Sequence, residues 1–166
     1  MVQHTGESPN LGRAKREADE LTAVYSSPPI PVLEIAERSG VNVIFANFGP
    51  NSARVAGFCD FRNAKLFVNV ADGPRRQSFT IAHELGHWLM HRSIFVDNPA
   101  LYPVLPRFST PLNNGPLEKE ANTFAAHLLV PDRLLKPVLN PGMSAVVLAN
   151  IFFVSRTMME IRMKGR

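Results

Sequence analysis

The residues with the clearest chemical potential are the two histidines of His83-Glu84-Leu85-Gly86-His87. An α-helix turns about 100° and rises about 1.5 Å per residue, so imidazoles four positions apart leave one face about 6 Å apart along the axis. Two such rings can close on one metal ion. Glu84 is placed to reach a water molecule at that ion, as a general base for hydrolysis requires. The pattern therefore predicts metal-assisted hydrolysis.

A catalytic zinc site typically takes a third protein ligand, and the segment from Pro116 to Pro131 offers one. Prolines near both ends and good helix formers between them predict a second helix. Glu118 shares a face with small residues that allow close approach to the first helix, so we expect Glu118 to be the third ligand. Glu120 points elsewhere and remains the alternative ligand, because predicted helix boundaries shift by a few residues. Asn122 is expected to hold the other ring nitrogen of a ligand histidine.

Stabilising an oxyanion during hydrolysis requires a further hydrogen-bond donor. The candidates in this sequence are Tyr102, Arg107 and His127. Each also has an ordinary interpretation: a loop tyrosine, a solvated charge and a histidine on the flank of the second helix. The sequence alone does not choose among them.

His91 extends the histidine series but lies about 12 Å along the helix from His83, too far to share one ion on a straight helix. We expect it to cap or pack at the end of the first helix, where a donor or cation complements terminal carbonyls. Gly86 is informative because a glycine inside a helix costs about 1 kcal/mol relative to alanine. It predicts a close approach of another backbone or of a substrate strand.

The metal-binding helix is expected to begin at Asp72-Gly73-Pro74, since proline suits the first helical turn. Two earlier helices are predicted over Ala14 to Tyr25 and between Pro31 and Gly40. Three β-rich runs separated by turn residues predict a small three-stranded antiparallel sheet. The runs are Val41 to Phe48, Arg54 to Phe61 and Lys65 to Val70.

A proline-rich loop, Asp97 to Leu117, separates the two ligand helices. It is either a lid or substrate-recognition element, or an irregular insertion. The short helices on either side of Phe152 to Ser155 imitate a helix-turn-helix, but we expect them to pack on the core as a helical tail. The order of elements predicts an α+β fold of the zincin-like type, with the sheet packed on helices.

The chain has 166 residues, 45% of them hydrophobic, which suits one globular domain over residues 14–166 after an irregular segment at 1–13. Its net charge of +4 comes from scattered basic residues, so no direct nucleic-acid binding is expected. No apolar run is long enough to span a bilayer. A single cysteine, Cys59, excludes an internal disulfide and favours a cytoplasmic location.

The chain resembles the ImmA/IrrE-type zinc metallopeptidases from about residue 15 to the C-terminus. The resemblance rests on the runs Phe79 to His91 and Glu118 to Pro131, and further on Phe153-Val154-Ser155 with Met159 and Arg162. It implies a zincin endopeptidase with one Zn²⁺ ion bound by His83, His87 and Glu118, and with Glu84 activating water.

The resemblance also implies a biological setting. The substrate would be a helix-turn-helix transcriptional repressor encoded nearby, and its cleavage would relieve repression in a stress, phage or mobile-element response. The alternative is a non-catalytic partner-binding module, such as one half of a toxin–antitoxin-like pair.

Overall fold

The structure is a computed structural model that describes residues 8–107 and 115–165. The α-helices, in chain order, are α1 (Leu11–Thr22), α2 (Val32–Arg38), α3 (Pro74–Asp97), α4 (Pro116–Leu129), α5 (Asp132–Leu135), α6 (Ala145–Phe152) and α7 (Arg156–Lys164). The strands are β1 (Asn42–Ala46), β2 (Val55–Asp60), β3 (Lys65–Asn69) and β4 (Leu105–Pro106). The predicted α+β class is confirmed.

The sheet differs from the predicted three-stranded antiparallel sheet in two ways, because it has a fourth strand and because β1 pairs with its neighbour in parallel. Four strands occur in the order β1-β3-β2-β4. The turn after β2 makes β3 its antiparallel neighbour, with Phe58 opposite Phe67, and β1 joins the far side of β3 in parallel, with Asn42 opposite Lys65. Strand patterns show which runs are extended but not which runs pair. The two-residue β4 contains a proline and has too little pattern to be predicted.

The long α3 lies between the sheet and α4 and is buried through its middle turns. Proline occupies the first turn of both α3 and α4, where the missing N–H breaks no helical hydrogen bond. All residues from Thr80 to Trp88 are buried, so this part of the helix has no solvent-exposed face. Such a helix must be covered on all sides. Its histidines are therefore removed from bulk water.

Two predicted boundaries need correction. Residues 11–13, assigned to an irregular N-terminus, form the first turn of α1, because the Asn10 side chain accepts a hydrogen bond from the Arg13 N–H and caps the helix. His91 does not lie at a helix end, because α3 continues to Asp97. The helix was expected to end near His91, whereas the buried Phe95 belongs to a further turn and packs in the interior.

The loop over 97–117 contains more regular structure than its prolines indicate. It includes a 3₁₀ turn at Pro99–Leu101 and the edge strand β4. The part of the lid prediction that falls on residues 108–114 lies outside the described residues. No helix among the described residues combines the length and apolar character needed to cross a bilayer.

The C-terminal helices pack against the core. Phe153 adopts a left-handed conformation between α6 and α7, and Ser155 caps α7. On α7, the buried Arg162 donates to the Val130 carbonyl at the end of α4 and to Asp132, at 2.7 and 2.6 Å. This arrangement gives the tail a packing role that the sequence analysis expected.

Candidate metal centre

Three side chains from two helices converge between α3 and α4. His83, His87 and Glu118 offer ligand atoms that all lie within 4.8 Å of one another. The two histidines are fully buried and Glu118 is 6% exposed. His87 Nε2 lies 2.7 Å from Glu118 Oε1, and His83 Nε2 lies 3.5 Å from Glu118 Oε2. The group can hold a metal ion.

The spacing of these atoms is close to that expected for the ligands of one tetrahedral metal ion. Donor atoms about 2.0–2.2 Å from one zinc ion lie about 3.3 Å from each other. The two distances to the carboxylate of Glu118 fall on either side of that value. His83 Nε2 is also buried without a hydrogen-bond partner, although its ring is otherwise held in place. A buried imidazole nitrogen without a partner is suited to a metal ion.

The number of protons available to the histidines also favours a metal ion in this group. Three contacts run in series: Glu118 to His87 Nε2, His87 Nδ1 to His91 Nδ1, and His91 Nε2 to Glu120. Each contact requires a proton if it is a hydrogen bond, but two neutral imidazoles supply only two. Burial lowers the pKa of His87 to about 4, which favours the neutral ring. A cation at His87 Nε2 would take the place of the missing proton.

The charges around the group also favour a cation. Burial opposes ionisation of Glu118, but the adjacent His83 and His87 rings outweigh it and hold the pKa of Glu118 at about 2. Burial lowers the pKa of His83, yet Glu118 and the charge of Glu84 outweigh that effect and raise it. Two carboxylates therefore create a negative potential where the two imidazoles meet.

Glu84 lies beside the group and has one oxygen available. Its Oε2 accepts a hydrogen bond of 2.5 Å from the Tyr102 hydroxyl, whereas Oε1 is buried and has no hydrogen-bond partner. Burial raises the pKa of Glu84 to about 7, and the hydrogen bond from Tyr102 opposes that shift. A carboxylate with this pKa can take up and release a proton near neutral pH.

Tyr102 contacts the site in a different way from the oxyanion donor considered above. Its hydroxyl donates to Glu84 and accepts from the Cys59 N–H at 2.7 Å. The first interaction orients Glu84, and the second holds the Tyr102 hydroxyl in place. The role in holding Glu84 was missed because it depends on the sheet approaching α3, for which the sequence carries no local signal.

Asn122 lies where it was expected. Its Oδ1 is 2.9 Å from His83 Nδ1, so the amide oxygen accepts from that nitrogen when the ring is neutral and protonated there. The lone pair of His83 Nε2 then faces Glu118 and the potential metal position. Asn122 orients one of the two histidines.

The remaining candidates lie outside the group. Both oxygens of Glu120 are engaged, one by His91 and the other by the Asn10 N–H. His127 lies nine residues after Glu118, about 13 Å along α4. The Arg107 guanidinium binds the carboxylate of Asp72 at 2.6 Å. The structure does not bring these three side chains to the shared ligand atoms.

Gly86 marks the closest approach of α3 and α4. A Cβ atom at this position would lie 2.9 Å from the Phe124 ring and 3.4 Å from the Ala121 Cα. The backbone predicted to approach Gly86 is therefore that of α4, which carries Glu118. The glycine allows the two ligand helices to pack at the distance that the group needs.

We expect Gly86→Ala to destabilise the protein and weaken metal binding. Overpacking costs about 1–3 kcal/mol, against a gain in helix propensity of about 1 kcal/mol. The net loss of unfolding free energy should reach about 2 kcal/mol, measured by urea denaturation alongside zinc affinity. Gly12→Ala, at an exposed position on α1, is the matched control. Unchanged zinc affinity in Gly86→Ala would contradict the proposed spacing role.

A cavity of about 530 Å³ opens beside His83, between the start of α3, α4 and α7. Its apolar lining includes Phe79, Ala126, Met158 and Ile161. The Phe79 ring centroid lies 5.9 Å from that of His83, so the cavity begins one helical turn from this histidine. The cavity provides an apolar space next to the group.

Comparisons with known proteins agree with a metallopeptidase-like family and fold. The profile of the family Peptidase_M78, described as "IrrE N-terminal-like domain", matches residues 36–164. No curated protein matches the chain. A solved structure described as a Mycobacterium tuberculosis transcriptional regulator superposes with a TM-score of 0.64 at 16% identity, over 91% of this chain and 46% of that one. This chain thus spans less than half of that protein, and the likeness concerns the fold alone.

Proposed function

Because the chain belongs to the Peptidase_M78 family, we propose that it is a zinc-dependent endopeptidase that acts on a protein regulator. The observation that carries the proposal is the buried group of His83, His87 and Glu118 with an unpartnered oxygen of Glu84 beside it. A metallopeptidase site needs a metal position and an adjacent base in a partly dry environment. The group and the adjacent Glu84 support both.

His83, His87 and Glu118 would hold the ion, and Zn²⁺ would supply Lewis acidity that polarises a peptide carbonyl and acidifies water. Glu84 Oε1 accepts a proton from the water molecule whose oxygen attacks the carbonyl carbon. As the C–N bond breaks, the same carboxyl group transfers that proton to the leaving nitrogen. Tyr102 holds Glu84 Oε2 throughout, so the acting oxygen stays in place.

The edge of the sheet and the cavity supply a route for the substrate. β4 is an edge strand, and Tyr102 precedes it by three residues. Arg76 donates to the Pro106 carbonyl of β4 at 2.8 Å and stacks over Phe79 of the cavity at 5.3 Å. An extended peptide beside β4 could therefore place one side chain into the cavity. The apolar lining favours a large apolar side chain.

We expect Ala126→Phe to change substrate preference by filling this cavity. Sites with large apolar residues next to the cleaved bond should lose at least about 10-fold in cleavage, because excluding such a side chain costs about 1–3 kcal/mol. The measurement is sequencing of products from a peptide library. Ala126→Ser, which keeps the space, is the control. An unchanged profile in Ala126→Phe would assign the side-chain site to another surface.

The proposed substrate is a helix-turn-helix repressor encoded beside this chain, and the support for it is the ImmA/IrrE resemblance. The test is incubation of both purified proteins with zinc, with chelator, and with zinc restored. We expect a shortened repressor only when zinc is present, with its new terminus identified by mass spectrometry. An intact repressor that binds equally well with chelator would instead favour the partner-binding alternative.

A further inference from the structure

His91 and Glu120 form a buried pair that the proposed chemistry does not use. We propose that this pair positions the metal ligand His87, by keeping the proton of that ring on Nδ1 and the lone pair of Nε2 directed at the ion. The inference rests on the metal-binding part of the proposed function and not on peptide cleavage. In this role His91 and Glu120 are positioning residues.

The hydrogen-bond geometry allows one order of protons when both rings are neutral and Glu120 is ionised. A carboxylate only accepts, so the 2.6 Å contact between His91 Nε2 and Glu120 Oε2 requires the proton of His91 to lie on Nε2. His91 Nδ1 is then an acceptor. The 2.8 Å contact with His87 Nδ1 consequently requires the proton of His87 to lie on Nδ1. His87 Nε2, which faces Glu118, is left with its lone pair.

Burial of the pair stabilises this arrangement of protons. His91 is 1% exposed and Glu120 is 8% exposed, so water competes weakly for their hydrogen bonds. A second histidine and a carboxylate replace the single carboxylate, carbonyl or water that holds a zinc-bound imidazole in most sites. His83 is held differently, by the uncharged amide of Asn122. The negative charge of Glu120 therefore supports only His87.

Glu120 is itself fixed from the opposite side. Its Oε1 accepts a 2.6 Å hydrogen bond from the Asn10 N–H, directly before α1. Because both carboxylate oxygens are engaged, the side chain is held towards His91 and away from the ligand atoms of Glu118. A variant that removes this contact can therefore distinguish the positioning of His87 from the attachment of α1.

The experiment measures Zn²⁺ affinity of the full chain by competition with a chromophoric chelator, together with unfolding free energy. Glu120→Gln keeps the size of the side chain but lets the amide donate as well as accept, so the order of protons is lost. We expect zinc affinity to fall about 10–100-fold, the usual effect of removing such a partner. In the zinc-loaded protein, the His87 Nδ1 proton should also exchange with water faster than in the wild type.

Asn10→Pro is the control, because it removes the N–H that binds Glu120 and the side chain that caps α1, but leaves His91 and Glu120 themselves unchanged. We expect it to lower stability while zinc affinity stays within about threefold of the wild type. A purely structural pair makes the same prediction for Asn10→Pro but a different one for Glu120→Gln, namely that it loses stability without losing zinc affinity beyond threefold. That result would overturn the proposal.

Variants of His91 keep the proposal testable if Glu120→Gln does not fold. His91→Gln retains an oxygen that can accept from His87 Nδ1, whereas His91→Leu does not. We expect the leucine variant to bind zinc at least about 10-fold more weakly than the glutamine variant. Equal affinities, or a wild-type chain that binds no zinc, would refute the positioning role. Zinc binding with these effects but without any cleavage would refute the peptidase function alone.

Discussion

Glu84→Gln is expected to retain zinc and to lose peptide cleavage by a factor of about 10²–10⁴, the usual contribution of a general base. Glutamine has nearly the same shape, and its amide oxygen can still accept from the Tyr102 hydroxyl that binds Glu84 Oε2. It cannot take a proton from water. The measurement combines metal analysis with the initial rate of repressor cleavage.

A matched control for this change is Glu37→Gln, on the exposed face of α2. It alters the net charge by the same amount without touching the site and should cleave at the wild-type rate. Cleavage by Glu84→Gln within about 10-fold of wild type would remove Glu84 from the role of base. If the variant lost its zinc, the lost cleavage would be attributed to the metal instead.

Glu118→Ala is expected to weaken zinc binding more than 100-fold, because it removes a ligand, whereas loss of a supporting residue costs about 10–100-fold. The wild type should gain thermal stability from zinc, since a ligand that binds only the folded chain adds about 4 kcal/mol at 1,000 times its dissociation constant. Glu118→Ala should lose that gain. Thermal unfolding with and without zinc measures both effects.

Lys119→Ala, at the next position on the exposed face of α4, serves as the control and should respond to zinc like the wild type. Loss of the acidic residue from the first turn of α4 costs only about 0.3–1 kcal/mol through the helix dipole. This loss is too small to imitate loss of a ligand. Retained zinc in Glu118→Ala would contradict the assignment and transfer it to Glu120.

Much of the fold was predictable because it depends on local patterns. The prolines in the first turns of α3 and α4, the β-rich runs and the helical tail all carry signals within a few residues. Sheet order was not predictable. The parallel pairing of β1 with β3 arises because β2 and β3 form the tight pair, and no residue within β1 records that choice.

The choice between Glu118 and Glu120 as the third ligand was only partly predictable from the sequence. A helical wheel favours Glu118 on the face with Ala121, but an error of two residues in the helix start would change the face. Both carboxylates contact histidines of α3. Glu118 lies next to His83 and His87, and Glu120 lies next to His91. The contact of Glu120 with His91 was not predicted, because His91 was expected at a helix end.

The sequence by itself determined that His83, Glu84 and His87 share one helix, with the two imidazoles on one face, because the α-helical period relates residues within a single turn. Tertiary structure decided what completes the site. The contact of His91 with Glu120 joins residues 29 positions apart, and that of Asn10 with Glu120 joins residues 110 positions apart. Such contacts depend on how whole helix faces pack, here at the distance that Gly86 permits, and this packing leaves no periodic signal in the chain.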